Sequence, residues 1–272
     1  MRANPPRSWT AALVVLLWTS TAVVAAARLY PEAIAAWSTY VSVTENRMQR
    51  ELESSRGFLA IDFLQDAASQ RRDVLAGGVV IEKVQDVDAQ GRRLTVPSAL
   101  VHHLRGDVLI PGVTVQQLLA ELQAQVPRQE DVLRSTILER GPDRMRVYLR
   151  LQRKRFVTVV YNSEHTVAFT RFGNTRATST SIATRIAEVS DPDTPQEHEL
   201  PMGEDRGFLW RLNAYWRYEE VAGGVIAECE SLSLSRDVPS VVRYLVNPLV
   251  ESTARESMER TLLTLRMRFA KT

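Results

Sequence analysis

Alternation is the strongest pattern in the chain. Between residues 144 and 152, Met145, Val147, Leu149 and Leu151 alternate with Arg146, Tyr148 and Arg150. A period of two predicts a strand with one buried and one wet face. Residues 157–161, 166–172 and 176–189 continue as strands. Residues 208–218 read as another, with Phe208, Trp210, Leu212, Ala214, Trp216 and Tyr218 on one face and Arg211, Asn213 and Arg217 on the other. Ala222-Gly223-Gly224 predicts a hairpin turn into residues 225–234. There Val225, Ala227, Cys229, Ser231 and Ser233 form a face of small side chains, suited to close approach of another element or to room for a ligand.

Helical periodicity brackets these strands. Residues 31–55 place Ile34, Trp37, Val41, Met48 and Leu52 toward one face, with Glu45, Arg47, Arg50 and Glu51 among them. A short apolar stretch at 58–64 follows, Gly77-Gly78 punctuates, and strand character appears at 79–84, 93–96 and 100–110, with a turn at Gln90-Gly91. Thr114-Val115-Gln116-Gln117 is a capping box opening a helix with an apolar stripe of Val115, Leu118, Leu119 and Leu122, ended by Pro127. The C-terminus predicts a helix in two pieces. Pro239 suits a first turn, Pro248 interrupts the hydrogen bonding, and Thr253 with Glu256 caps a second start. Ala254, Met258, Leu262, Leu265 and Phe269 then share one stripe, which needs a sheet to bury against. The fold class expected is α+β: a curved antiparallel sheet wrapped on a long C-terminal helix, with an N-terminal helical extension.

The first residues change where such a domain would work. Arg2 and Arg7, an apolar run at 11–18 and Ala25-Ala26-Ala27 have the order of a secretory signal over residues 1–27. The uncharged stretch is also long enough to remain as a membrane anchor. Residues 28–78 form the helical extension and 79–272 the main domain. Cys229 is the only cysteine, so neither an intrachain disulfide nor lipidation at a cysteine following the signal is available. The chain holds 34 basic and 32 acidic residues, and without Arg2 and Arg7 it is balanced, which argues against nucleic acid as a partner. The basic run Arg144, Arg146, Arg150, Arg153, Lys154 and Arg155 reads as a solvated strand face.

Candidate chemistry is sparse. His102 and His103 are adjacent and point to opposite faces of a strand, His165 and His198 are the only others, and neither HExxH nor a CxxC pair occurs, so no metal is implied. There is no GxSxG elbow or phosphate-binding glycine loop, and no cofactor is implied. Cys229 lies between Glu228 and Glu230, whose charges disfavour a thiolate. Glu228 and Glu230 share a strand face, where pairing with Arg211, Arg217 or Arg185 on neighbouring strands competes with acid–base work. Arg105-Gly106-Asp107 falls inside a strand and reads as chance rather than an adhesion motif.

Several stretches together resemble a known superfamily. They are His102-His103-Leu104-Arg105-Gly106 through Ile110-Pro111-Gly112 into the Thr114 helix, and Gly207-Phe208-Leu209-Trp210-Arg211-Leu212-Asn213. To these add Ala222-Gly223-Gly224-Val225 through Ser233-Leu234-Ser235-Arg236, then Pro239 and the final helix. Over about residues 100–268 the pattern is similar to the START-like, polyketide-cyclase and birch-pollen-allergen (SRPBCC, helix-grip) superfamily, in a bacterial branch of unassigned function. The resemblance implies a cavity between the curved sheet and the C-terminal helix, used for lipids, sterols, polyketides or other apolar molecules. The ligand contacts expected here are Trp210, Trp216, Leu212, His103, Arg211 and Met258. The function expected is non-catalytic binding or carriage of a hydrophobic small molecule or lipid by an exported protein, periplasmic or secreted, or held at the inner membrane by an uncleaved N-terminal helix. The alternative is a cyclase, dehydratase or isomerase using His103, Glu228 or Arg211 as acid or base. A third reading makes the 31–55 helix a partner-binding element.

Overall fold

A computed structural model describes residues 28–126, 130–154, 158–201, 203–237 and 240–269, with side chains of the last helix described from Ser252 onward. The signal segment, Pro127, Arg155, Val157 and Pro239 lie outside the described residues. The chain runs α1 (Pro31–Glu53), a 3₁₀ turn (Ala60–Phe63), α2 (Ala67–Leu75), β1 (Val79–Lys83), β2 (Ala99–Pro111) and α3 (Val115–Ala124). The strands β3 (Val132–Arg140), β4 (Arg144–Lys154), β5 (Thr158–Phe172), β6 (Arg176–Ser190), β7 (His198–Glu199), β8 (Arg211–Val221) and β9 (Gly224–Arg236) follow, then α4 (Ser240–Phe269). The strands form one open sheet in the order β1-β2-β9-β8-β6-β5-β4-β3, with β7 beside β6, and every described pairing is antiparallel.

Local chemistry explains the elements. Thr114 accepts from the Gln117 amide at 3.2 Å while Gln117 Oε1 accepts from the Thr114 amide at 2.9 Å, the reciprocal capping box that fixes the start of α3. The β8–β9 hairpin turns through Gly223, at φ 93°, where a side chain would be strained. Helix α4 lies on β2 because Gly106 has no Cβ. One built there would come 2.6 Å from Leu262 Cδ1 and 2.9 Å from Met258 Cγ. Met258, Leu262 and Leu265 bury against Val108, Ile110, Ala227 and Cys229, and each full side-chain burial contributes roughly 1.5–3 kcal/mol.

The opposite face of the same sheet is also covered. Ala33, Trp37, Tyr40 and Met48 of α1 pack with Trp210, Tyr215, Leu232 and Leu234. Phe58, Leu59 and Ile61 of the 3₁₀ turn pack with Val74 and Ile226. The extension is therefore a third layer, and the sheet is sandwiched. Among the described residues no helix is long and apolar enough to cross a membrane.

Several expectations shift. The buried stripe of α1 is Ala33, Trp37, Tyr40, Thr44 and Met48, and Ile34 is exposed. Residues 93–96 give only an isolated bridge between Val87 and Arg93. The segments 157–161 and 166–172 belong to one long strand, β5. The strand expected from Phe208 starts at Arg211. Helix α4 runs unbroken past Pro248, with Thr253 and Glu256 in its middle rather than at a second start. A proline removes one intrahelical bond, and the helix absorbs that loss instead of splitting.

Candidate functional site

Strand parity assigns each side chain to the α4 face or the α1 face. Toward α4, the partners across the centre of the sheet run Val167–Ser181–Ala214–Ser231–Leu104 and, one row on, Phe169–Ser179–Trp216–Cys229–Gly106. Leu212, Ser233 and His102 form a third row. Helix α4 seals the end of this face near Gly106. Farther along, Ser181, Ala183, Leu212, Ala214, Trp216, Ser231 and Ser233 are only half-buried, while Asn213, Tyr215, Arg217, Glu228, Glu230 and Leu232 on the other face of the same strands are buried. A face that is half-open in mid-sheet, floored by small side chains and flanked by an indole, has the form of a ligand surface.

The polar groups over the centre of this face are hydroxyls and imidazoles. His165 is 3 % exposed, with Nε2 3.1 Å from Ser163 Oγ and Nδ1 3.4 Å from Ser181 Oγ. Burial lowers its pKa to about 4, so the imidazole is neutral near pH 7. Ser179 Oγ pairs with the Tyr218 hydroxyl at 3.0 Å, and His102 Nε2 lies 2.9 Å from Ser235 Oγ. Charged residues of the same parity stand near strand ends with partners. Glu188 pairs with Arg206, Arg171 with Asp143 and Arg153 with Asp131, and Glu220 accepts from the Val115 amide. A separate recess of about 310 Å³ opens at the rim, between α3 and the β3–β4 turn, over Met145 and Phe169. It contains none of the six expected contact residues, and the half-open face is the better candidate because small and aromatic side chains converge there.

The charges of the central strands go to the α1 face. Arg47 reaches Asp86 at 2.9 Å and also pairs with Glu230 and Glu51. His103 lies 2.6 Å from Glu230 through Nε2 and 3.0 Å from the Tyr40 hydroxyl through Nδ1. Burial alone would raise the Glu230 pKa, but the His103 hydrogen bond and Arg47 hold it down at about 2. Glu228 accepts from the amides of Ala60 and Ile61 at 2.8 and 3.0 Å, and Arg217 lies 3.7 Å from it and 2.6 Å from Glu51. Asp107, fully buried beside Glu228, is pushed well upward, first by burial and then by that neighbouring carboxylate. Asp86, His103 and Glu230 bring three ligand atoms within 4.8 Å of one another. Arg47, Thr44 and Tyr40 already occupy those atoms, and the guanidinium supplies the charge a cation would bring.

The six expected contacts divide between the two faces. Trp216 and Leu212 lie on the half-open face, and Met258 of α4 packs over Gly106 at its sealed end. Trp210 precedes β8, donates its indole N–H to Asp205 at 3.0 Å and joins the α1 cluster. It does not share a face with Trp216, because the strand starts one residue later. His103 also faces α1. Arg211 shares the parity of Asn213 and Arg217 on the α1 side, is half-buried and donates to the Trp210 carbonyl at 2.9 Å. The acid–base alternative therefore loses His103 and Glu228, which are enclosed beneath the extension. Of the expected carboxylate partners, Arg217 approaches Glu228, Arg185 pairs with Glu199, and Glu230 takes Arg47 from α1. Arg105 and Asp107 are buried and bonded to each other, which removes any exposed adhesion tripeptide. The Cys229 thiol is pushed up first by burial and then by Glu230 and Glu228, and it is a core group. Sequence reasoning missed His165 by dividing β5. The signal was there in the unbroken alternation Val159, Tyr161, Ser163, His165, Val167 and Phe169.

No protein-family model matches the chain, and no curated protein does. Among solved structures it is similar to the STAR-related lipid transfer protein of Xanthomonas axonopodis, with 17% identity and a TM-score of 0.44 over 68% of this chain and 98% of that one. Human StAR-related lipid transfer protein 5 aligns at 12% identity and a TM-score of 0.40, over 84% of this chain and 97% of that one. The Zhui aromatase/cyclase of a Streptomyces species aligns at 12% and 0.38, over 63% and 95%. This chain's own sheet is curved, antiparallel and unclosed, and its C-terminal helix is seated on it through Gly106. The architecture is a helix grip. In this chain the extension covers the second face of the sheet.

Proposed function

We propose that the protein is an exported, non-catalytic binding or carrier protein for a hydrophobic small molecule or lipid, held between the central strands and α4. The observation that carries this reading is the half-open α4 face, where Trp216, Leu212 and Ala214 lie beside the small residues Ser181, Ala183, Ser231 and Ser233. Support against catalysis comes from the separation of charge. The acids and bases of β2, β8 and β9 are spent on holding the extension, and the half-open face offers hydroxyls and a neutral imidazole. Export rests on the N-terminal pattern of Arg2, Arg7 and Ala25-Ala26-Ala27, and cleavage there would release a carrier, whereas retention would tether it to its own membrane.

Native mass spectrometry of the full chain expressed with its leader tests both parts. The expected spectrum shows a mature mass beginning near Arg28 with an added apolar species that organic extraction removes. A protein that carries nothing, and whose Trp216 emission ignores added long-chain amphiphiles, would overturn the carrier reading. Trp37 and Trp210 are buried in the α1 layer, so Trp216 is the described indole positioned to report an occupant.

A further inference from the structure

On the α4 face the hydrogen bonds around His165 form a chain with a direction. Ser163 Oγ donates to the Leu149 carbonyl at 3.3 Å, so its one proton is committed and the oxygen accepts from His165 Nε2–H at 3.1 Å. The neutral imidazole then carries its proton on Nε2, and Nδ1 is an acceptor. Ser181 Oγ, 3.4 Å from Nδ1, must donate to it. That spends the single proton of Ser181 inward, and the lone pairs of its half-buried oxygen remain for whatever occupies the face. Ser231, two strands away in the same row, brings a second half-buried hydroxyl to the same floor.

Resting on the carrier reading, we propose that Ser181, oriented by His165 and Ser163, is a hydrogen-bond acceptor that selects amphiphiles bearing a donor, an alcohol before the corresponding ether. The chain is anchored at a backbone carbonyl of β4 and passes through two side chains fixed on β5, so its polarity is set by the fold rather than by the ligand. His165 is a positioning residue, since it acts through Ser181 and has both ring nitrogens occupied. The residues beside Ser181, Ala183 on its own strand and Ala214 opposite it on β8, are small.

The test compares oleyl alcohol with oleyl methyl ether, two probes of nearly equal apolar body, titrated into the delipidated full chain at neutral pH with Trp216 emission as readout. One neutral hydrogen bond gained by the alcohol corresponds to about fivefold tighter binding. Ser181→Ala should bring the two affinities together while leaving that of the ether unchanged. His165→Phe frees the Ser181 proton to turn outward, so the ether should then bind as well as the alcohol, a change that mere loosening of the structure would not produce. Equal affinities in the parent protein, or an alcohol preference that survives Ser181→Ala, would overturn the proposal and leave the carrier reading standing. Failure of both probes to bind would remove both.

Discussion

Replacing His165 by Gln should alter how the protein's stability depends on pH, and the size of the effect follows from burial. An ordinary histidine titrates near 6.5, whereas burial lowers His165 to about 4 in the folded chain. Between those values the unfolded chain holds a proton that the folded chain excludes, so stability rises with pH and is lost as pH falls from about 6.5 toward 4. Integrating the two titrations gives a loss of about 2 kcal/mol between pH 7 and pH 5. Asp107 acts in the opposite sense. Its folded pKa is raised, so it binds a proton in the folded chain that the unfolded chain releases, and it contributes stability that declines as pH rises. The total curve therefore mixes opposing slopes, and the difference between parent and His165→Gln isolates the imidazole. Urea unfolding at a series of pH values measures it. The parent should lose about 2 kcal/mol more than the variant between pH 7 and pH 5. Parallel curves would refute the buried neutral imidazole and the hydrogen-bond direction built on it.

Other perturbations test the layers separately. Gly106→Val forces a side chain into Leu262 and Met258 and should cost about 1–3 kcal/mol, read as a lower urea midpoint with altered near-ultraviolet dichroism. Arg47→Ala leaves Asp86 and Glu230 buried without their shared cation. It should cost about 3–5 kcal/mol, and Glu230→Gln in the same chain should recover part of that; no recovery would mean that the charge is not the cause. Glu230 itself, held down at about 2, contributes stability that is present above its ordinary pKa and lost as pH falls toward 2. That acid loss should disappear in Glu230→Gln. Deleting residues 28–56 uncovers Trp210, Leu232 and Leu234 together with the buried charges, and should give a chain that binds hydrophobic dyes or aggregates. A soluble, cooperatively folding product would contradict the three-layer account.

Much of the fold was legible because alternation and capping act locally. β4, the Thr114 cap and the Met258, Leu262 and Leu265 stripe read directly from spacing. The direction of each strand face was harder. Alternation states which residues share a face, but at the centre of β8 and β9 the more deeply buried face is the charged one, beneath the extension. A charged face such as Arg105, Asp107, Glu228 and Glu230 looks solvated until a third layer brings Arg47 and backbone amides to it. For the same reason His103 was assigned to the ligand side although its parity places it with Arg105. Trp210 was misplaced by strand fraying, since parity holds only inside the ladder and the strand starts at Arg211. His165 was hidden by hydroxyls, because serines and threonines in mid-strand weaken the apolar signal that marks a buried face.

The central claim is that the α4 face of the central strands holds an apolar occupant. Photocrosslinking tests it most directly, using a diazirine-bearing long-chain alcohol bound to the full chain, with the modified residues identified by tandem mass spectrometry. The account predicts labels on Leu212, Ala214, Trp216, Ser231 and Ser233, and their loss when unlabelled oleyl alcohol is added in excess. Labels confined to α1 and the face beneath it, or scattered and indifferent to the competitor, would contradict it.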